Sequence, residues 1–148
     1  MTPEQEQYLF HTYPELYWDR RTVERYDCSP YIFGFAVGPG WFDIIVELSE
    51  KLLPLARKHN EACKDYNFRV DQIKEKFGGL RFYVGGVVEP YFDDVYKAIE
   101  EAETLSYVTC EECGKPGKLR NDLGWILTLC NEHYETIKKH KFREEEDE

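Results

Sequence analysis

Apolar positions recur at helical spacing in three places and alternate at strand spacing in one. Thr2-Pro3-Glu4 is a helix start, with a capping hydroxyl, a proline in the first turn and acids after it. That helix is predicted to run to about His11 and to stop before Pro14. Between Tyr13 and Pro39 the pattern is weaker. Tyr17-Trp18, the charged run Asp19–Arg25 and the apolar run Tyr31–Val37 predict a short helix, a loop and a strand, and Gly38-Pro39-Gly40 is punctuation. Trp41–Asn60 is the main helix. Trp41, Ile45, Leu48, Leu52, Leu55 and His59 fall near one face, and Phe42, Val46 and Leu53 widen it, which implies deep burial. Pro54 lacks a donor and crowds the preceding turn, so a kink or break is expected near Leu53. Pro90 is expected in the first turn of the next helix, with Tyr91, Val95, Ile99, Ala102 and Leu105 facing the core and Glu100, Glu101 and Glu103 in or near solvent.

Between these helices, Phe68–Gly85 alternates with period two around Gly78-Gly79. Gly-Gly suits a type I′ turn, and a two-residue turn sets the pairing. Phe77 is then expected opposite Leu80, Glu75 opposite Phe82 and Ile73 opposite Val84 on an apolar face. Lys76 faces Arg81, Lys74 faces Tyr83 and Gln72 faces Gly85 on a polar one. Glu75 is the exception, a carboxylate aimed at the core. A buried carboxylate must be paired or protonated.

The C-terminal third follows a different logic. Cys110-Glu-Glu-Cys113-Gly114 and Cys130-Asn-Glu-His133 are two short-spaced pairs of metal-ligand residues. Together they form a zinc signal, because zinc takes four soft or borderline donors in a tetrahedron and a C-x-x-C turn supplies two from one knuckle. Gly114 suits the sharp turn after the second thiol. The insert Lys118–Leu129 can form two short strands with Asn121-Asp122 and Gly124 near the tip, and Cys130 and His133 share one face of a helix running to about Lys139. Knuckle, hairpin and helix are the order of a treble-clef finger. Four donors make a complete set, which fits one structural zinc ion rather than a catalytic one.

The expected fold is α+β: helices on a small antiparallel sheet built on the hairpin at about 68–85, with a C-terminal treble-clef-like zinc module. Residues 1–106 form the body, 107–140 the zinc module packed on it, and 141–148 a disordered acidic tail. Composition supports a real core, with 9 Phe, 3 Trp and 11 Tyr in 148 residues. No apolar run reaches the roughly 18 residues of a membrane span, and no signal-peptide pattern is present. Cys28 and Cys63 are left over and read as free buried thiols; reduced thiols with zinc point to the cytoplasm. The net charge of −10 divides as −7 in residues 1–106, +2 in 107–143 and −5 in the tail. So acidic a body argues against general nucleic-acid binding.

The stretch Asp71-Gln-Ile-Lys-Glu-Lys-Phe-Gly-Gly-Leu-Arg-Phe-Tyr83, followed by Cys-x-x-Cys-Gly-x-x-Gly and Gly-Trp-x-x-Thr-Leu-Cys-x-x-His, resembles a family of small uncharacterised proteins of bacterial and phage genomes. The resemblance covers about Gly40 to Tyr134. It implies a cytoplasmic setting in a bacterium or an infected one, strengthens the zinc reading and carries over no catalytic residue.

Other constellations compete with a purely structural finger. His59-Asn60-Glu61 with Cys110 and Cys113 imitates a zinc-deaminase signature, but Thr109 stands where proline is needed, and Cys130 and His133 would go unused. A treble-clef nuclease of the His-Asn-His type needs a histidine on the hairpin, and Lys118–Leu129 has none. Lys74, Lys76, Arg81 and Tyr83 share the polar face of the Gly-Gly hairpin and could receive a phosphate or an acidic partner. The favoured function is a small cytoplasmic binding protein acting through a protein partner; in the phage setting implied by the resemblance, it inhibits or modulates a host protein. The alternatives are a binder of a small anionic, nucleotide-like ligand at the basic hairpin face, with Glu75 beside it, and last a zinc enzyme.

Overall fold

In the computed structural model, which describes residues 1–17 and 35–147, the first helix, α1 (Pro3–Thr12), begins as the sequence dictates. Gln5 donates its backbone N–H to the Thr2 hydroxyl and Thr2 N–H donates to the Gln5 side chain, each at 3.1 Å, closing a capping box. Leu9 is buried, and the chain leaving the helix buries Tyr13, Leu16 and Tyr17. Ser49 donates its hydroxyl to the Ile45 carbonyl, so Tyr17 is the donor in its 2.6 Å bond to Ser49 Oγ. The short helix and loop expected around residues 18–34, and Cys28 with them, lie outside the described residues. The strand expected within 31–37 is present as β1 (Phe35–Ala36).

A 3₁₀ turn over Pro39–Trp41 leads into α2 (Phe42–Ala62). Ile44, Ile45, Leu48, Leu52, Ala56 and His59 form its buried stripe, continuous with Trp41. The break expected at Pro54 does not occur: the helix runs through it. Pro54 is solvent-exposed, on the side where water can reach the carbonyl its ring leaves without a donor, while the opposite face is held by the core.

The strands β2 (Arg69–Lys76) and β3 (Gly79–Gly85) pair antiparallel, in a register that corrects the expected one. The turn residues are Phe77 and Gly78, at φ 53° and 83°, rather than Gly78 and Gly79. Lys76 therefore pairs with Gly79, Glu75 with Leu80, Lys74 with Arg81, Ile73 with Phe82 and Gln72 with Tyr83. Gly79 is needed in the strand because a β-carbon there would lie 2.3 Å from the Tyr107 ring. Each partner moves by two residues, an even shift, so every side chain keeps its expected face. An irregularity between Val70 and Gln72 ends the strict alternation. β1 joins the far edge of β2 in parallel, giving a three-stranded sheet in the order β1-β2-β3.

The helix α3 (Phe92–Ser106) starts two residues after Pro90, not at it. Val95, Ala98, Ile99 and Ala102 pack into the core with Ile73, Leu80 and Phe82 of the sheet and Leu48 and Leu52 of α2. Leu105, expected on this stripe, is 43 % exposed. α3 also closes the free edge of β3: Leu80 N–H donates to Ser106 Oγ at 2.9 Å and Phe82 N–H to Glu103 Oε1 at 3.0 Å. Beyond it come the hairpin β4 (Lys118–Arg120) and β5 (Leu127–Leu129), then α4 (Asn131–Glu146). α4 outruns its expected end near Lys139, and the acids Glu144–Glu146, expected in the tail, form its last turn. Among the described residues no helix is long and apolar enough to cross a membrane.

Candidate metal centre

Cys110, Cys113, Cys130 and His133 converge, with all four ligand atoms within 4.8 Å of one another. Two sit on a knuckle. Gly114 N–H donates to the Cys110 carbonyl at 2.9 Å and Cys110 N–H to the Lys115 carbonyl at 2.8 Å, with Gly114 at φ 79° where the chain reverses. The other two sit at a helix start. Cys130 is the N-cap of α4, and His133, three residues on, lies in the first turn. The β4–β5 hairpin spans the gap and buries Leu129 beside Cys110 and Leu123.

The spacing fits a tetrahedral ion. Cys113 Sγ and Cys130 Sγ are 3.8 Å apart, and His133 Nδ1 lies 3.7 Å from Cys110 Sγ and 3.2 Å from Cys130 Sγ. Metal–sulfur bonds of about 2.3 Å and metal–nitrogen bonds of about 2.0 Å give tetrahedral edges of roughly 3.8 Å and 3.5 Å. The backbone N–H of His133 approaches Cys130 Sγ at 3.5 Å and is the main reason this thiol is pulled down to about 7, toward the thiolate a metal requires. Cys110 and Cys130 are buried, His133 is half-buried and Cys113 is exposed at the rim. The donor set and the order knuckle, hairpin, helix are consistent with a treble-clef-like zinc module on an α+β fold.

Hydrogen bonds and close backbone approaches on two sides dock this module on the body. Gly40 N–H donates to the Glu111 carbonyl at 2.7 Å, Gly38 N–H to Glu111 Oε1 at 3.0 Å, and the Trp41 indole N–H to the Thr109 carbonyl at 2.9 Å. A β-carbon on Gly40 would lie 2.1 Å from the Cys110 carbonyl oxygen. On the other side, Thr128 donates its hydroxyl to the Gly78 carbonyl at 2.6 Å, and Leu119 and Ile126 cover Gly78. The knuckle thus rests on Gly38–Trp41 and the β4–β5 hairpin on the tip of the β2–β3 hairpin. Burial pushes the Glu111 carboxyl above the usual range, against the opposing pull of the Gly38 N–H, and the nearby Glu75 charge adds to the rise. Sequence reasoning missed Gly38, Gly40, Trp41 and Glu111 as docking residues. The signal was in view as Gly-Pro-Gly-Trp, but its meaning depends on which backbone it meets.

Lys74, Lys76, Arg81 and Tyr83 do share the outer face of the β2–β3 hairpin, as expected. Each cation has its own aromatic neighbour. Lys74 Nζ is 5.7 Å from the Tyr83 ring centre and Lys76 Nζ is 5.5 Å from that of Phe77. Arg81 donates to the Tyr107 hydroxyl at 3.1 Å, and this bond is the first cause of its raised pKa. Glu75 departs from expectation. It is half-buried rather than enclosed in the core, and its carboxylate accepts the Gly78 N–H at 2.7 Å across the turn. That bond engages one carboxylate oxygen, and the half-buried group stays within reach of water, so no buried counter-ion is required.

His59 is not drawn into the metal cluster, contrary to what a deaminase-like site needs. Val88 N–H donates to His59 Nε2 at 3.0 Å, so Nδ1 carries the proton and donates to Asn60 Oδ1 at 3.0 Å. Asn60 Oδ1 also accepts Phe68 N–H at 2.8 Å. Nε2 thus ties the end of α2 to the chain at Val88, and Nδ1 holds the Asn60 side chain that accepts Phe68 N–H just before β2. Cys63 is a free thiol, half-buried rather than buried, at the C-cap of α2. A scan against protein-family models finds no match to this chain, and searches of the curated proteins and of the solved structures return none.

Proposed function

We propose that this chain is a zinc-containing binding protein: one zinc ion at Cys110, Cys113, Cys130 and His133 holds the C-terminal module, and the protein works by engaging a protein partner. What carries the reading is the complete set of four donors, gathered between the knuckle and α4 on a module clamped to the body. A catalytic zinc keeps a position open for water or substrate, whereas four protein donors leave the ion to hold structure. Function then falls to surfaces. The outer face of the β2–β3 hairpin offers Lys74, Lys76 and Tyr83 with the exposed Phe77 beside them, a cationic and aromatic surface on a protein of net charge −10. It suits an acidic protein patch, since opposite potentials set orientation and association rate. Each of the three cations is engaged by a different aromatic residue, which favours a protein surface over the converging cations that a nucleotide-like ligand requires. The cytoplasmic setting and a role in modulating a host protein follow the family resemblance.

The test is a Lys74→Glu, Lys76→Glu variant, leaving Arg81 intact because it holds Tyr107. Metal analysis should return one zinc per chain in both proteins, with equal melting temperatures. Wild type should capture a defined protein from a bacterial lysate and the variant should not. Unchanged capture, or nucleotide-induced thermal stabilisation that the variant loses, would refute the protein-binding face.

A further inference from the structure

Between α2 and α3 lies a groove of about 380 Å³. Its floor and walls are Ile44 and Leu48 of α2, Ala98, Ala102 and Leu105 of α3, and Val108 just beyond. The floor belongs to the core, but the outer wall does not: Leu105 is 43 % and Val108 58 % exposed. Leu105 lies on the apolar stripe of α3 that the sequence assigns to burial, and the described residues leave it part-exposed. The rim is charged. Lys51 lies 3.7 Å from Glu47 on its own helix and 3.6 Å from Glu101 across the groove.

We propose that this groove docks an amphipathic helix of a partner protein, with apolar side chains on one face and Lys or Arg flanking them. The length of the groove argues for a helix. Ile44 to Lys51 and Ala98 to Leu105 each span two turns, about 10 Å at 1.5 Å per residue. That is the reach of anchors at i, i+3, i+4 and i+7, the pattern by which a helix lies in an apolar groove. Charge argues for cations at its ends. Two glutamates face one lysine, and an exposed pair such as Lys51–Glu47 contributes little, so an incoming cation displaces Lys51 at small cost. The groove is distinct from the basic hairpin face and does not rest on the reading of that face.

The experiment uses the full-length zinc-loaded protein and two labelled helical peptides. Both carry leucine at i, i+3, i+4 and i+7; one has arginines at its ends, the other glutamates. Fluorescence anisotropy should show the arginine peptide binding at least about tenfold more tightly, a preference that added salt narrows. Glu47→Lys with Glu101→Lys should reverse the preference, and Leu105→Asp should abolish binding of both. Leu105 is exposed, so that variant should keep its zinc and its melting temperature. If it does not, Val108→Asp makes the same test at a more exposed position. Lys74→Glu with Lys76→Glu should leave peptide binding unchanged, so failure of the basic-face reading and failure of this one are separable. Equal affinity for the two peptides, no binding of either, or binding untouched by the groove substitutions would overturn the proposal. Light scattering that shows a dimer dissolved by Leu105→Asp would also overturn it, by making a second copy of the chain the occupant.

Discussion

Gly40→Ala should undock the metal module although it changes no ligand. The added methyl would lie 2.1 Å from the Cys110 carbonyl oxygen and 2.6 Å from both the Glu111 carbonyl oxygen and the Gly114 nitrogen. All three are backbone atoms of the knuckle, so no side chain can swing aside. Relief requires the knuckle to retreat by roughly 1 Å, since β-carbons are not found closer than about 3 Å to such atoms. A retreat of that size stretches three bonds that now measure 2.7, 3.0 and 2.9 Å, from Gly40, Gly38 and the Trp41 indole. Each contributes on the order of 1 kcal/mol net, and the buried Trp41 N–H left without an acceptor lies at the upper end, so the loss should be about 3–4 kcal/mol. Set against a typical stability of about 5–15 kcal/mol, this is severe. The assay is urea unfolding of the zinc-loaded protein, followed by tryptophan fluorescence with a colorimetric zinc reporter present. The midpoint should fall, and zinc should be released at lower urea than in wild type. Gly124→Ala is the control. Its φ is 92°, but the nearest atom to a new methyl is the flexible Lys141 Nζ at 3.0 Å, so only backbone strain of about 1–2 kcal/mol applies. A Gly40→Ala protein within about 0.5 kcal/mol of wild type would refute the docking argument.

Three further outcomes are expected. Cys113→Ser should abolish zinc binding, measured by elemental analysis, and melt the β4–β5 hairpin and the start of α4 in hydrogen exchange, because structural zinc supplies on the order of 10 kcal/mol of apparent binding energy; retention of one zinc per chain would contradict it. Burial raises the Tyr17 hydroxyl above its ordinary 10.0, so the folded state holds this proton more tightly than the unfolded chain does. Its contribution is complete below that value and is lost as pH rises beyond it, so Tyr17→Phe should flatten the alkaline fall in melting temperature. Phe77 holds φ 53° while 63 % exposed, a backbone position that suits Asn or Gly, so Phe77→Asn should stabilise the protein by about 0.5–1 kcal/mol in denaturant melts.

What local chemistry determines was legible in the sequence. The Thr2 cap with Pro3 sets the start of α1, and the apolar stripe after Trp41 sets the buried face of α2. The alternation about the glycines sets the faces of β2 and β3, and the spacing of Cys110, Cys113, Cys130 and His133 sets the metal cluster. In each, the partners lie within a few residues or repeat with one element's period, and the two metal-ligand pairs, each compact by itself, are joined by a hairpin-length insert, so pattern alone specifies them. The tertiary structure decided what depends on distant backbone. It placed the turn on Phe77-Gly78, because Tyr107 occupies the space where a side chain at Gly79 would stand. Pro54 stays inside a continuous helix, because core contacts along the opposite face outweigh one missing hydrogen bond. Glu75 became a turn acceptor instead of a buried charge, and His59 a link between α2 and the chain at Val88. Gly38-Pro39-Gly40, which reads as mere punctuation, became the seat of the metal knuckle, because only a backbone without side chains admits the Cys110 and Glu111 carbonyls so closely.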